Sequence, residues 1–310
     1  MPTKTPAKGK EPLVQDALLT SGGSNSFTPI PEPHKKRIVK PAQNQKSPFL
    51  GCSKKETASK FANEVYERLC SYGGETKDDI NKSKIIDDGK YFIYVRDLAD
   101  SVRPGAWLSN STCEMAIRVL APELAKQKKH VMPLILATKL RKATCINDRV
   151  VTKAFKMNSE NRLDHKEQVM FPVLQDLTPD IKQHTGHYYL IVLNLKAERF
   201  EVMDSLRAKG NRVLVKDYRL IIGSIKYLWA KNYSESTINI ENWVTEHIDT
   251  PRQKTTCNCG FFMLKAIELW NGRKMTAAIN PSDMPDIRKQ STLKWLECVD
   301  NKIEWQELLF

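Results

Sequence analysis

Residues 188–195 read YYLIVLNL, a run that is almost continuously apolar and rich in β-branched and aromatic side chains. A strand of that composition has no polar face to give to water, so it belongs in the middle of a sheet covered on both sides. A turn over 196–199 (KAER) and a second apolar stretch, Phe200–Met203, follow at once, which predicts a β-hairpin. Leu214, Tyr218, Ile221, Ile225 and Leu228 recur at helical spacing and predict an amphipathic helix. Gly260–Trp270 is apolar on nearly every face apart from Lys265 and Glu268, the pattern of a helix buried in the centre of a domain. These elements place the chain in the α+β class, with a mixed central β-sheet flanked by helices.

Other elements are predicted upstream. Phe61, Val65 and Leu69 have helical spacing, Tyr91–Val95 reads as a short strand, and Val131–Leu136 and Gln168–Leu174 read as strands or buried extended segments. Ser111–Glu114 (STCE) has the form of a capping box, with a helix expected through Leu120. Residues 1–60 differ in kind. They hold 8 of the 16 prolines, 11 of the 49 Lys+Arg and 4 of the 36 Asp+Glu, with few bulky apolar residues. Such a segment cannot bury enough surface to offset its ordering entropy, so a disordered basic tail is expected at 1–60 and a folded domain at 61–310. Much of the net charge of +13 sits in that tail, which could meet an importin or nucleic acid, or stay solvated; 34–40 (HKKRIVK) weakly matches a nuclear localisation signal. No secretory leader and no apolar run of membrane-spanning length is seen, and the seven cysteines are scattered and odd in number. Reduced thiols, a nuclear or cytoplasmic location and no membrane partner are therefore expected.

Four positions carry candidate chemistry. Cys259 precedes the buried helix, and the free N–H groups of a helix first turn favour a thiolate. Gly260 leaves the backbone free to approach a substrate carbonyl. A cysteine packed as a small hydrophobe reads the same way from sequence. His187 opens the most apolar strand and Asp204 closes the next one, seventeen positions on. A hairpin brings two such ends together, so an imidazole could meet a carboxylate; a solvated, idle pair is the other reading. Gln253 lies six positions before Cys259, where a side-chain amide can donate to a developing oxyanion, or simply be a polar loop residue after Pro251. Cys257 competes as a nucleophile, but Asn258 follows it where Gly260 follows Cys259. No zinc-like spacing surrounds Cys257 and Cys259, and His184 and His187 fit a strand start better than a metal site, so no metal and no cofactor are expected.

Gly186-His187 with YYLIVLNLKAERFEVMDSL, followed by PRQKTTCNCGFFMLKAIELW, resembles the ubiquitin-like-protein-specific proteases, the Ulp/SENP cysteine peptidases related to the adenoviral protease. Residues 104–110 (PGAWLSN) resemble the family's Trp-Leu motif, and Phe171-Pro172-Val173 resembles the extended segment before its His. The resemblance covers about residues 90–310 and looks greatest to plant members. It implies a papain-like or adenain-like fold with the nucleophile at the N-terminus of the buried helix. It also implies Cys259 as nucleophile, His187 as general base, Asp204 orienting His187, and Gln253 in the oxyanion hole. Trp107 and Tyr188 would roof a tunnel that admits only a Gly-Gly tail. The implied partner is a small ubiquitin-like modifier, SUMO-like or Rub-type, with its conjugates.

Three departures from the family pattern stand out: Tyr188 where Trp is usual, Asn258 where Asp is usual before the nucleophile, and Asn110 where Asp is common. They leave the implied catalytic residues in place. They also keep open an alternative, a catalytically weak or inactive module that grips a modifier without cutting it. A Cys-bearing chymotrypsin-like barrel shares the order His, Asp, Cys, but it would continue in strands after Cys259 where this chain predicts a helix.

Overall fold

The computed structural model describes residues 57–74, 79–159, 161–176 and 186–310, all within one unit, Asn44–Phe310. Residues 1–56 of the expected tail, with its localisation-like run, and His184 lie outside the described residues; 57–60 are described, with Ser59 capping α1 from Lys60. A five-stranded sheet runs through the middle in the order β3-β4-β5-β6-β7. Its strands are β3 (Lys129–Val131), β4 (Gln168–Asp176), β5 (Gly186–Asn194), β6 (Arg199–Met203) and β7 (Thr245–His247). The three central strands pair antiparallel, and the short edge strands β3 and β7 pair parallel, so the sheet is mixed. A separate hairpin joins β1 (Lys84–Asp87) to β2 (Phe92–Tyr94).

β5 is buried along nearly its whole length because it packs on both faces. Tyr188, Leu190 and Val192 enter one core with Phe261, Phe262 and Met263 of α7 (Cys259–Leu269). Tyr189, Ile191 and Leu193 enter a second core with Leu214, Ile221 and Ile225 of α6 (Arg212–Asn232). The first core is completed by α1 (Lys60–Cys70), α2 (Val95–Val102), α3 (Asn110–Lys126), α8 (Met284–Leu296) and α9 (Trp305–Leu309). The second takes α4 (Leu134–Leu140) and α5 (Arg149–Phe155).

Three local expectations are corrected. Only the start of Val131–Leu136 is strand. Pro133 has no N–H to extend the ladder, and the next N–H, that of Leu134, is taken at 2.8 Å by the Glu114 carboxylate, so the chain turns into α4. The helix after residue 108 is capped by Ser109, whose Oγ accepts the Thr112 N–H at 3.2 Å; Ser111 and Glu114 already lie inside it, and it continues past Leu120 to Lys126. In α1, Val65 and Leu69 are buried as expected, but Phe61 is largely exposed and Tyr66 takes its place in the core.

Candidate active site

β5 delivers His187 at its second position, and Asp204 follows the last residue of β6. The hairpin register pairs Leu190 with Met203 and Asn194 with Arg199. Continued outward, that register makes Asp204 a diagonal neighbour of His187 on one face, within side-chain reach. The diagonal is closed by a 2.9 Å hydrogen bond between His187 Nε2 and Asp204 Oδ1, with both residues buried. A carboxylate only accepts, so Nε2 carries the proton and Nδ1 is left for chemistry. His187 Nδ1 is buried and makes no hydrogen bond among the described residues.

Asp204 is saturated with donors. Its Oδ1 also accepts the N–H groups of Leu206 and Arg207 at 2.8 Å, and its Oδ2 accepts Arg207 Nε at 2.8 Å. Burial alone would raise its pKa. The hydrogen bond and charge of His187, joined by the Arg207 guanidinium, outweigh burial and hold it at about 2.

Cys259 is the first residue of α7. Its sulfur donates to the Thr256 carbonyl at 3.9 Å and feels the backbone N–H groups of Tyr188, whose peptide links it to His187, and of Gly260. The thiol therefore lies at the very peptide that carries the imidazole. Burial pushes this thiol up to about 11; the two N–H groups pull it down, and Asp204 adds to the rise. The helix N-terminus thus acts in the expected direction, but with the residue 1% exposed the desolvation of a thiolate wins. Cys257 lies in the preceding loop, and it is not isolated there: Arg288 Nη2 donates to its carbonyl at 3.3 Å.

Gln253 is tied to the turn that carries Asp204. Its N–H donates to the Ser205 carbonyl at 2.9 Å, and its Oε1 accepts from Ser205 Oγ at 2.8 Å. Thr250 Oγ1 donates to the Asp204 carbonyl at 2.6 Å, which pins the same loop again. With Oε1 committed, Nε2 points away from Ser205, buried and without a hydrogen bond among the described residues.

The two aromatic residues expected to roof a tunnel differ sharply. Trp107 is 37% exposed, whereas Tyr188 is 3% exposed. The Tyr188 hydroxyl lies 3.0 Å from both the Leu108 carbonyl and Asn110 Oδ1. Its ring packs against Gly260, where an added Cβ would meet Leu108 at 2.9 Å and Tyr188 at 3.3 Å. Gly260 is thus required by packing as well as by any approach of substrate. Tyr188 serves as an internal wall that ties the Trp107 segment to β5, and only Trp107 offers a free aromatic face.

Sequence reasoning passed over Arg207 and Arg288. Arg207 had a local signal, a cation three positions after Asp204. Arg288 had none, because the carbonyls that surround it come from Val102, Arg103, Ala106 and Cys257, far away in sequence.

A thiol at a helix N-terminus, an imidazole with one free nitrogen, an oriented carboxylate and an amide donor are the groups that cysteine-peptidase chemistry requires. The chain belongs to the Ulp1 protease family: the model of that family's C-terminal catalytic domain matches residues 106–302, more than half of the chain. Among curated proteins it is 22% identical to Ubiquitin-like-specific protease 1A of Arabidopsis thaliana over 204 residues, 63% of this chain and 38% of that protein. It is 23% identical to Putative ubiquitin-like-specific protease 1B of the same plant over 198 residues, 60% of this chain and 53% of that protein. The chain thus matches about two fifths to half of the length of these relatives. Its fold is similar to that of the C-terminal Ulp1 protease domain solved in complex with Smt3, the yeast ortholog of SUMO. That match has a TM-score of 0.60 at 17% identity and covers 81% of this chain and all of the other. It is also similar to the catalytic domain of the Chaetomium thermophilum Ulp1-like SUMO protease, with a TM-score of 0.57 at 15% identity, over 85% of this chain and all of that one.

Proposed function

We propose that this chain is a cysteine peptidase that hydrolyses the peptide or isopeptide bond following the Gly-Gly tail of a small ubiquitin-like modifier, SUMO-like in the first instance. The observation that carries the reading is the buried His187–Asp204 pair, with Nδ1 unbonded, beside the peptide that holds the Cys259 sulfur. In the proposed reaction His187 Nδ1 takes the Cys259 proton as the sulfur attacks the carbonyl carbon of the last glycine. Gln253 Nε2 and backbone N–H groups at the start of α7 would receive the oxyanion. His187 then gives its proton to the leaving amine, and the thioester is hydrolysed by water that His187 deprotonates in turn. Asp204 holds the imidazole and stabilises its cation throughout. Burial raises the thiol, and proton transfer to His187 offsets that cost, so the reactive form is a Cys259–His187 ion pair. Tyr188 and Asn110 form one bonded unit with Leu108, which supports a preformed channel wall despite their departure from the family residues.

The test is incubation with a panel of modifiers carrying a carboxy-terminal electrophile, scored by a covalent gel shift. A shift with a SUMO-like probe that Cys259→Ala removes is expected. Binding without a shift would mean that the chain grips a modifier and does not cut it. A shift with a Rub-type probe alone would change the substrate and leave the chemistry standing.

A further inference from the structure

Three donors would suffice to orient the Asp204 carboxylate: His187 and the two backbone N–H groups of the turn. A fourth is added by a side chain that is itself buried. Arg207 Nε donates to Oδ2 at 2.8 Å, its Nη1 donates to Gln175 Oε1, and its guanidinium lies 5.1 Å from the centre of the Tyr189 ring. Gln175 is the residue opposite His187 in the β4–β5 register. The guanidinium is therefore fixed by the two strands that meet at His187, and it fills the lone pairs of Asp204 that His187 does not use.

We propose that Arg207 is a positioning residue of this site, aiming Asp204 at His187 and, through its fixed charge, setting the pH window in which the Cys259–His187 ion pair exists. The inference rests on the roles proposed above for those two residues.

A fixed cation makes every neighbouring group more acidic. Beside Asp204, Arg207 cancels part of the carboxylate charge that raises the Cys259 thiol. The other charged groups around the pair do not undo this. Asp217 is the next carboxylate along Tyr189, but it is taken by the Tyr189 hydroxyl at 2.7 Å and by Arg141 through two bonds of 2.6 and 2.8 Å. His247 on β7 is biased towards its neutral form by burial; Asp204 opposes this, and the charges of Lys209, Arg252 and Arg207 add to it. Cys113 of α3 is held as a thiol by burial. Arg207 is thus the buried charge placed to balance Asp204.

Two substitutions separate charge from aim. Arg207→Gln can keep one N–H for Oδ2 and removes the charge. Arg207→Lys keeps the charge and loses the planar fork. The first readout is the rate of Cys259 alkylation by iodoacetamide against pH, resolved by peptide mapping, which needs no modifier. The second is the pH profile of kcat/KM on a modifier precursor. In Arg207→Gln both limbs are expected to move to higher pH by about half to one unit, from a cation several ångströms away in a partly screened interior. In Arg207→Lys the limbs stay and kcat falls several-fold at unchanged KM. A purely structural role would lower melting temperature and activity without moving either limb. If the wild-type alkylation profile has no limb that His187→Ala removes, the ion-pair reading itself fails and takes this inference with it. If that limb is present and Arg207→Gln leaves it in place, the inference alone fails. Should Arg207→Gln not fold, Gln175→Leu decides, because it removes only the acceptor that aims the guanidinium. A fall in kcat at unchanged KM is expected there, and an unchanged kcat overturns the proposal.

Discussion

The two ends of the β5–β6 hairpin each bury a carboxylate, and they use it differently. At the turn end Glu201 accepts Asn194 Nδ2 at 2.9 Å, Arg199 Nε at 2.9 Å and Trp270 Nε1 at 2.7 Å. Burial still leaves its pKa raised. At the open end Asp204 is held at about 2. Arg199 is partly exposed and also pairs with Glu246, so its charge is shared and screened. Asp204 has a buried guanidinium, an imidazole and two backbone N–H groups. Among the described residues the open end also carries four buried polar atoms without a hydrogen bond, His187 Nδ1, Gln253 Nε2, Arg207 Nη2 and His247 Nε2, against Gln168 Oε1 at the turn end. A buried donor or acceptor left unpaired costs stability, so an acceptor at His187 Nδ1 and a donor at Gln253 Nε2 beside a thiol fit groups held ready for a partner that arrives with substrate. One end is spent on stability and the other on readiness.

The largest test of that contrast pairs one substitution from each end. Cys259→Ala is expected to remove cleavage by on the order of 10⁴-fold or more while leaving the urea midpoint within error. Cys257→Ala should retain most of the activity. Glu201→Ala should do the reverse of Cys259→Ala. It strands the Trp270, Asn194 and Arg199 donors, so a loss of roughly 3 kcal/mol is expected with normal turnover per folded molecule. Equal activity losses in Cys257→Ala and Cys259→Ala, both folded, would remove Cys259 from its role.

Gln253→Ala sharpens the same contrast at the level of one atom. Removing an oxyanion donor lowers kcat by about 10²-fold with little change in KM, because the charge it meets exists only in the transition state. A rise in KM alone would mark Gln253 as an ordinary substrate contact.

Acid titration compares the carboxylates directly. The Asp204 pKa is depressed in the fold, so its contribution is fully present above about pH 4 and is lost as pH falls towards about 2. A shift of nearly two units corresponds to roughly 2 kcal/mol. Glu201 is raised, so acid relieves the cost of its buried charge and works against this loss. Urea midpoints of wild type and Asp204→Asn measured from pH 5 to pH 2.5 should therefore converge. Parallel curves would show that Asp204 is not the titrating group.

The parts of this site that could be read from the sequence were the local ones. The apolar run of β5, the all-round apolar α7 and the seventeen-residue hairpin spacing each follow from neighbours along the chain. Residues whose partners come from elsewhere were not legible. Val131–Leu136 was apolar enough for a strand, and the Glu114 carboxylate that turns it into a helix lies in another element. Tyr188 reads as an aromatic roof until its hydroxyl is seen bonded inside the protein. The thiol of Cys259 has its helix N-terminus as expected, but the depth of burial that raises it is a property of the whole fold. Arg288, in PDIRKQS, reads as one more solvated basic residue.

That buried arginine gives the smallest and most specific prediction. Arg288 is 3% exposed and stacks on Phe261, with 4.5 Å from its guanidinium carbon to the ring centre. Its nitrogens donate to the carbonyls of Val102, Arg103, Ala106 and Cys257, which binds the segment before Trp107 to the loop before Cys259. The remaining acceptor is Asn258 Oδ1, at 2.8 Å from Nη2 and 3.2 Å from Nε. All these acceptors are neutral, and desolvation, the largest influence on Arg288, lowers its pKa. Asn258→Asp would place a carboxylate oxygen where the amide oxygen now sits, with both N–H donors already aimed at it. Charge-assisted bonds of this geometry are about twice as strong as neutral ones, and the geometry is prepaid by the packing. Part of the gain is lost in desolvating the new carboxylate, so a net stabilisation of about 1 kcal/mol is expected, read as a rise of a few degrees in Tm. Turnover should change less than about threefold, because the chemistry stays with Cys259, His187 and Asp204. A lower Tm would mean that the Asn258 amide N–H, which donates to Thr255 Oγ1 at 2.8 Å, matters more than the charge Arg288 lacks.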